Sequence, residues 1–224
     1  MTTTPIVVAV GHVDDREVAG SRGVRAAWRD LGTTAPGNGR ALRTIFGRAD
    51  DTFRRLDPTS RALVLAGEAA GIADALPAAE RGDAALVVAT ELGCLDADLQ
   101  FARSLGTAMC DAPVFPYTLP STCLGEIALR LGLRGPSLCL SVPPGADGQA
   151  FAEAARLLAT GEARFAVVAT VEVLVQPHRD VTPRCRAVVA LAAHADAGLP
   201  AIAPWPLATD DAFGTLVRAW AAAR

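Results

Sequence analysis

Thiolates attack acyl thioesters, imidazoles carry their protons, and paired carboxylates divide acid from base work. The side chains available for such chemistry are Cys94, Cys110, Cys123, Cys139 and Cys185, the histidines His12, His178 and His194, and the glutamates Glu91 and Glu172. A place for them is also visible. The stretch PSLCLSVPPGADGQAFAEAARLL, residues 136–158, reads as a buried strand, a sharp turn and a helix. A nucleophile at such a turn meets the first free N–H groups of the helix, which stabilise an anion. Here the turn is Val142-Pro143-Pro144-Gly145, and none of these side chains attacks anything. The two prolines also remove two N–H donors, one of which an oxyanion hole would need.

The other candidates are weaker by position. Cys139 lies mid-strand between leucines, where a thiol is a small apolar group with a raised pKa. Cys123 stands at the start of a helix, whose dipole would lower its pKa. A small stand-alone acyl-thioester hydrolase or transferase would use one of these two. Cys94 follows Glu91-Leu92-Gly93 at a strand end, a place where α/β sheets bind ligands. His12 closes the first strand. Glu91 and Glu172 both fall near strand C-termini, and their spacing leaves open whether they meet. No two cysteines form a C-x-x-C pair and the histidines are scattered, so there is no zinc signature. GDAALVVATELG lacks the G-x-G-x-x-G spacing, and without a single lysine there is no Walker motif. No cofactor and no metal are expected.

The elements that would position these groups alternate. Residues 5–10, 83–92, 136–142, 164–175 and 185–195 read as buried strands. Asp57 or Thr59 caps a helix whose first turn suits Pro58, Ser121 caps another that runs to Leu131 and stops at Gly132, and Asp147 caps a third that ends at Gly161. The segment TTAPGNG, residues 33–39, reads as a loop, and three prolines hold residues 113–120 extended. The expected fold class is α/β: a five-stranded mixed, mostly parallel sheet with helices on both faces. Residues 1–224 form one expected domain, with residues 204–224 a Pro-rich segment plus helix. Trp205, Phe213, Leu216, Val217 and Trp220 there are suited to cover an apolar face.

Composition narrows the partners. Formal net charge is −3, all 21 basic residues are Arg without a basic run, and only 5% of residues are aromatic, which argues against nucleic acid. No apolar run is long enough for a membrane span, and MTTTPIVVAV lacks the basic start and full apolar core of a secretory signal. A cytoplasmic protein is expected.

The order of the pieces resembles the N-terminal half of β-ketoacyl synthases of the thiolase-like superfamily. RLDPTSRALVLAGEAA, VVATELGCLDADLQFARSL and FPYTLPSTCLGEIALRLGLRGPSLCLSV carry the resemblance, LGLRGPSL being the most specific string. It extends over roughly residues 5–198. Active members place their nucleophilic Cys six residues beyond the position of Leu138, which is Pro144 in this chain. Their catalytic histidines lie in a second half, and neither His178 nor His194 has an HGTGT-like setting. The pattern resembles short ketosynthase-like proteins known as chain length factors, of polyketide and aryl polyene clusters. It implies half of a thiolase-like fold and no catalytic residue. It also implies a heterodimer with an active β-ketoacyl synthase, or a homodimer, that meets acyl carrier protein through the complex and helps set chain length in polyketide or fatty-acid-like biosynthesis. The strand at residues 137–142 would pair across the interface. Phe115, Pro116, Tyr117, Leu119, Cys123, Ile127, Ser137, Cys139 and Ser141 would line that interface or the acyl tunnel beside it. A homodimeric scaffold without acyl ligand is the remaining alternative.

Overall fold

The computed structural model describes residues 4–27, 39–47, 50–107, 109–206 and 211–223. The strands are β1 (Ile6–Val13), β2 (Glu17–Gly20), β3 (Arg25–Ala27), β4 (Ala85–Thr90), β5 (Ser137–Ser141), β6 (Phe165–Leu174) and β7 (Arg184–Ala193). The helices are α1 (Gly39–Phe46), α2 (Pro58–Ala70), α3 (Ile72–Ala75), α4 (Leu95–Ser104), α5 (Ser121–Leu131), α6 (Gly148–Ala159) and α7 (Ala212–Ala222). Of the loop expected at residues 33–39, residues 33–38 lie outside the described residues, and Gly39 instead begins α1.

All seven strands share one sheet in the order β3-β2-β1-β7-β6-β4-β5. This corrects the expected count of five. The additions, β2 and β3, are four and three residues long, too short to show a period of their own. The expectation of a mostly parallel sheet is also corrected. β4 pairs parallel with β5 and with β6, while β6–β7, β7–β1, β1–β2 and β2–β3 are antiparallel. The reason is local: parallel pairing needs a crossover, and only a short loop joins β6 to β7.

Helices cover both faces, as expected. On one face α2 and α5 pack Leu63, Leu65, Cys123, Ile127 and Leu131 against Val88, Val167 and Val189. On the other, α6 and α7 pack Phe151, Leu157, Phe213 and Trp220 against Val87, Val168 and Ala190. Helix α2 lies very close to β1 and β2. A Cβ on Gly11 would sit 2.1 Å from the Ala66 carbonyl oxygen, and one on Gly20 2.2 Å from that of Ala69, so only glycine fits at either position.

Helix ends follow the sequence in part. Asp57 accepts from the Thr59 and Ser60 N–H groups at 3.0 and 3.1 Å and caps α2. Gly132 closes α5 in the left-handed conformation, φ 70°. Two caps differ from expectation. Ser121 makes no side-chain capping bond, because Pro120 holds the N-cap position. Asp147 does not cap α6; its carboxylate turns away and accepts from Ala212 N–H at 3.0 Å, capping α7 instead. Residues 113–120 are not extended throughout, since Phe115–Thr118 forms a 3-10 turn.

Candidate functional site

The site is the bend between β5 and α6. β4, β5 and β6 run parallel, so Thr90, Ser141 and the C-terminal end of β6 share one edge of the sheet. That edge is where an open α/β sheet binds ligands. The bend itself offers nothing to bind with. Val142 N–H donates to the Thr90 carbonyl at 3.0 Å, and Ala146 N–H to the Pro143 carbonyl at 3.0 Å. Pro143 and Pro144 have no N–H. Gly145 N–H, the one remaining donor among these residues, is taken by Glu91 Oε1 at 3.0 Å. A complete accounting of residues 142–146 therefore leaves no free backbone donor.

Glu91 is the centre of a cluster. Its Oε2 accepts from Arg184 Nη2 at 2.8 Å. Glu172 accepts from the Glu91 and Leu92 N–H groups at 2.6 and 3.0 Å and lies 3.6 Å from Arg184 Nη2. The register explains the meeting. Ala89 of β4 stands opposite Thr170 of β6, which brings Glu91 and Glu172 together two residues on. Two carboxylates side by side need a cation, and β7 begins with Arg184. Burial would raise the Glu91 carboxyl, but the Gly145 N–H, Arg184 and the charge of Arg186 outweigh it and hold the group below its ordinary range. Burial dominates at Glu172 and pushes its carboxyl up. The two glutamates were visible in the sequence as charged ends of apolar runs. Arg184 was not singled out, and the only signal for it was a basic residue opening the fifth apolar run.

None of the five thiols stands at the bend. Cys94 Sγ donates to the Thr118 carbonyl at 3.0 Å and to Asp98 Oδ2 at 3.3 Å; burial and then the Asp98 hydrogen bond push it up to about 12. Cys123 is buried under α2, and burial pushes its thiol up, which overturns the lowering expected from the helix dipole. Burial also raises Cys139 and Cys185. Cys110 is exposed. The histidines serve elsewhere. His12 sits edge-on to Trp220 at 6.0 Å, His178 bridges to Val181 in the loop after β6, and His194 pairs with Asp196 at 2.7 Å.

The expected interface residues divide into two groups. Cys123 and Ile127 are core residues between α5 and α2. Phe115 and Leu119 are 60% and 61% exposed, Pro116 is exposed, and Tyr117 is half-buried with its hydroxyl donating to the Arg55 carbonyl at 3.2 Å. Ser137 and Ser141 are exposed at the ends of β5, with Cys139 half-buried between them. Among the described residues β5 is the last strand of the sheet, so one side of its backbone has no strand of theirs beside it. One cavity adjoins these elements and another lies away from them. The first, of about 260 Å³, lies behind residues 113–117, lined by Arg55, Arg61, Asp96 and Tyr117 among others. The second, of about 330 Å³, lies between α7 and the start of β7, with His12, Arg186, Asp211 and Arg218 in its wall. Among the described residues no group of three or more His, Cys, Asp or Glu side chains could hold a metal ion. Among them, too, no helix is long and apolar enough to cross a membrane.

Solved structures share this architecture. The ishigamide ketosynthase/chain length factor matches with a TM-score of 0.66 at 20% identity, over 89% of this chain and 65% of that one. A ketosynthase (ApeO) in complex with its chain length factor (ApeC) from Xenorhabdus doucetiae matches with a TM-score of 0.55 at 16% identity, over 85% and 79%. A type II acyl-carrier protein in complex with its ketosynthase, AntDE:AntF, matches with a TM-score of 0.59 at 16% identity, over 88% and 64%. The chain thus spans about two thirds of the first of these relatives. No curated protein sequence matches it. At these identities the likeness is one of fold, and it identifies the sheet and its two helical layers as half of a thiolase-like fold. The family model for the β-ketoacyl synthase N-terminal domain covers residues 12–189, a span that includes β4, the bend and every member of the glutamate–arginine cluster, and the chain belongs to that family.

Proposed function

We propose that this chain is a non-catalytic ketosynthase-like subunit that pairs with an active β-ketoacyl-ACP synthase and helps set the length of a polyketide or fatty-acid-like chain. One observation carries the reading: the bend that would hold a nucleophile has prolines at positions 143 and 144 and no free N–H donor among residues 142–146. Condensation needs a thiolate to hold the acyl group and donors to stabilise the enolate. The active partner supplies both, and acyl carrier protein is met through the complex. A thioester hydrolase built on Cys123 or Cys139 would need a lowered thiol pKa, whereas burial raises both. The reading takes residues 1–224 as one unit, located in the cytoplasm with the partner.

The open edge of β5 and the exposed Phe115 and Leu119 supply the surface for the partner. An apolar edge strand facing water invites association. The similar structures, ketosynthases with chain length factors or acyl-carrier protein, agree with a subunit of this kind. The test is co-expression with an active ketosynthase from the same source, followed by size-exclusion chromatography and product analysis. A stable heterodimer whose products change in length on substitution of Phe115 or Leu119 is the expected result. A ketosynthase that never associates and works equally well alone defeats the proposal, and a homodimer without acyl ligand would replace it.

A further inference from the structure

Glu91 does more than fill space beside the elbow. It comes from the end of β4, yet each of its oxygens is held by a different element: Oε1 by the Gly145 N–H and Oε2 by Arg184 of β7. Two donors, one charged, each meeting one oxygen is how a protein holds a bound carboxylate. Glu172 adds to the arrangement from behind, gripping the Glu91 and Leu92 N–H groups and fixing the backbone from which the side chain projects. The place is open. A Cβ built on Gly145 would meet nothing within 4 Å, and the Arg184 side chain is 39% exposed.

We propose that the Gly145 N–H and the Arg184 guanidinium form a carboxylate-binding pocket at the elbow, and that the chain fills it with its own Glu91. The pocket's chemistry is that of a small monocarboxylate, and an acyl carboxylate or thioester oxygen arriving at the bend finds the donors taken. This rests on the reading of the chain as a non-catalytic subunit and deepens it: the bend is closed twice, by the lost thiol and by an internal ligand. Restoring a thiol alone would therefore leave it shut.

The test uses the isolated protein, so it succeeds or fails regardless of whether a partner ketosynthase is found. P144C, P144C/E91A and P144C/E91Q are labelled with iodoacetate and with iodoacetamide, and the thiol introduced by P144C is followed by peptide mapping, apart from the five native ones. Removing the Glu91 charge should raise the iodoacetate-to-iodoacetamide rate ratio about tenfold, as loss of a neighbouring like charge does. Sodium acetate, compared with sodium chloride at equal ionic strength, should slow iodoacetate labelling of P144C/E91A and raise the Tm of E91A but not that of the parent. If E91A does not fold, E91Q carries the ratio, because its amide keeps the shape without the charge. A ratio that stays at the P144C value, or acetate that does no more than chloride, overturns the proposal.

Discussion

β5 and β6 flank the same strand, pair with it in the same parallel sense, and end up in different surroundings. All ten residues of β6 are buried, with β7 beyond it and α2, α6 and α7 among the helices packed over the two faces of the sheet. β5 has exposed ends, a half-buried middle and, among the described residues, no strand beyond. The difference lies in what covers each. On the β6 side the chain supplies its own cover: Phe213 is fully buried, its ring centroid is 4.4 Å from that of Phe151, and Phe151 in turn meets Trp205 at 5.2 Å. On the β5 side, large apolar residues such as Phe115 and Leu119 stand in water. The sheet thus closes one side with its own helices and leaves large apolar side chains exposed on the other, the surface that the proposed pairing would use.

The comparison breaks most easily on the covered side. Removing residues 204–224 should leave the protein insoluble, and Phe213→Ala should cost about 3–5 kcal/mol in urea unfolding. A truncated form that stays soluble and monomeric would show that α7 is not the cover it is taken for. The open side has one strong anchor of its own. Arg130 of α5 meets Asp50 at 2.6 Å, and Asp50 also accepts from the Thr52 and Phe53 N–H groups. Burial opposes the charged form of Asp50, but the Arg130 hydrogen bond and those of Thr52 and Phe53 outweigh it and hold the carboxyl far below its ordinary range.

Asp50→Asn should therefore cost about 1–3 kcal/mol at neutral pH. A depressed folded pKa gives stability that is present above the unfolded value and lost on acidification. The gap between parent and variant should accordingly be full at pH 7 and shrink below about pH 4, read from urea midpoints along a pH series. Phe115→Ser and Leu119→Ser invert the pattern. Each should weaken ketosynthase binding about tenfold while changing urea stability by less than about 0.5 kcal/mol. Equal losses in stability would mean that these residues belong to the fold and not to an interface. Asp147→Ala should have the smallest effect, about 1 kcal/mol, from loss of the α7 cap. Its signature would be faster proteolysis near residue 211 with the rest of the chain intact.

Much of this was legible without coordinates. The five long strands, the helices around Asp57 and Gly132, and the bend without a nucleophile all follow from apolar runs, caps and turn residues close together in the chain. What escaped depends on contacts distant in the chain. Asp147 has the residue type of an α6 cap, yet it serves Ala212, 65 residues away. The Ser121 hydroxyl was an equally good local candidate and was displaced by Pro120. Cys123 stands where a helix dipole acts, and burial beneath α2 overrides it.

The amino-acid order settled that the bend after residue 141 has no side chain able to attack a thioester, because a residue's chemistry needs no neighbour to be known. Folding decided that the same bend is also stripped of donors. That required β4, β6 and β7 to lie in one register, so that Glu172 and Arg184, 81 and 93 positions from Glu91, hold its backbone and its carboxylate where the latter takes the Gly145 N–H. Side chains meet across strands according to the register, and in this sheet the register is set by the packing of whole layers.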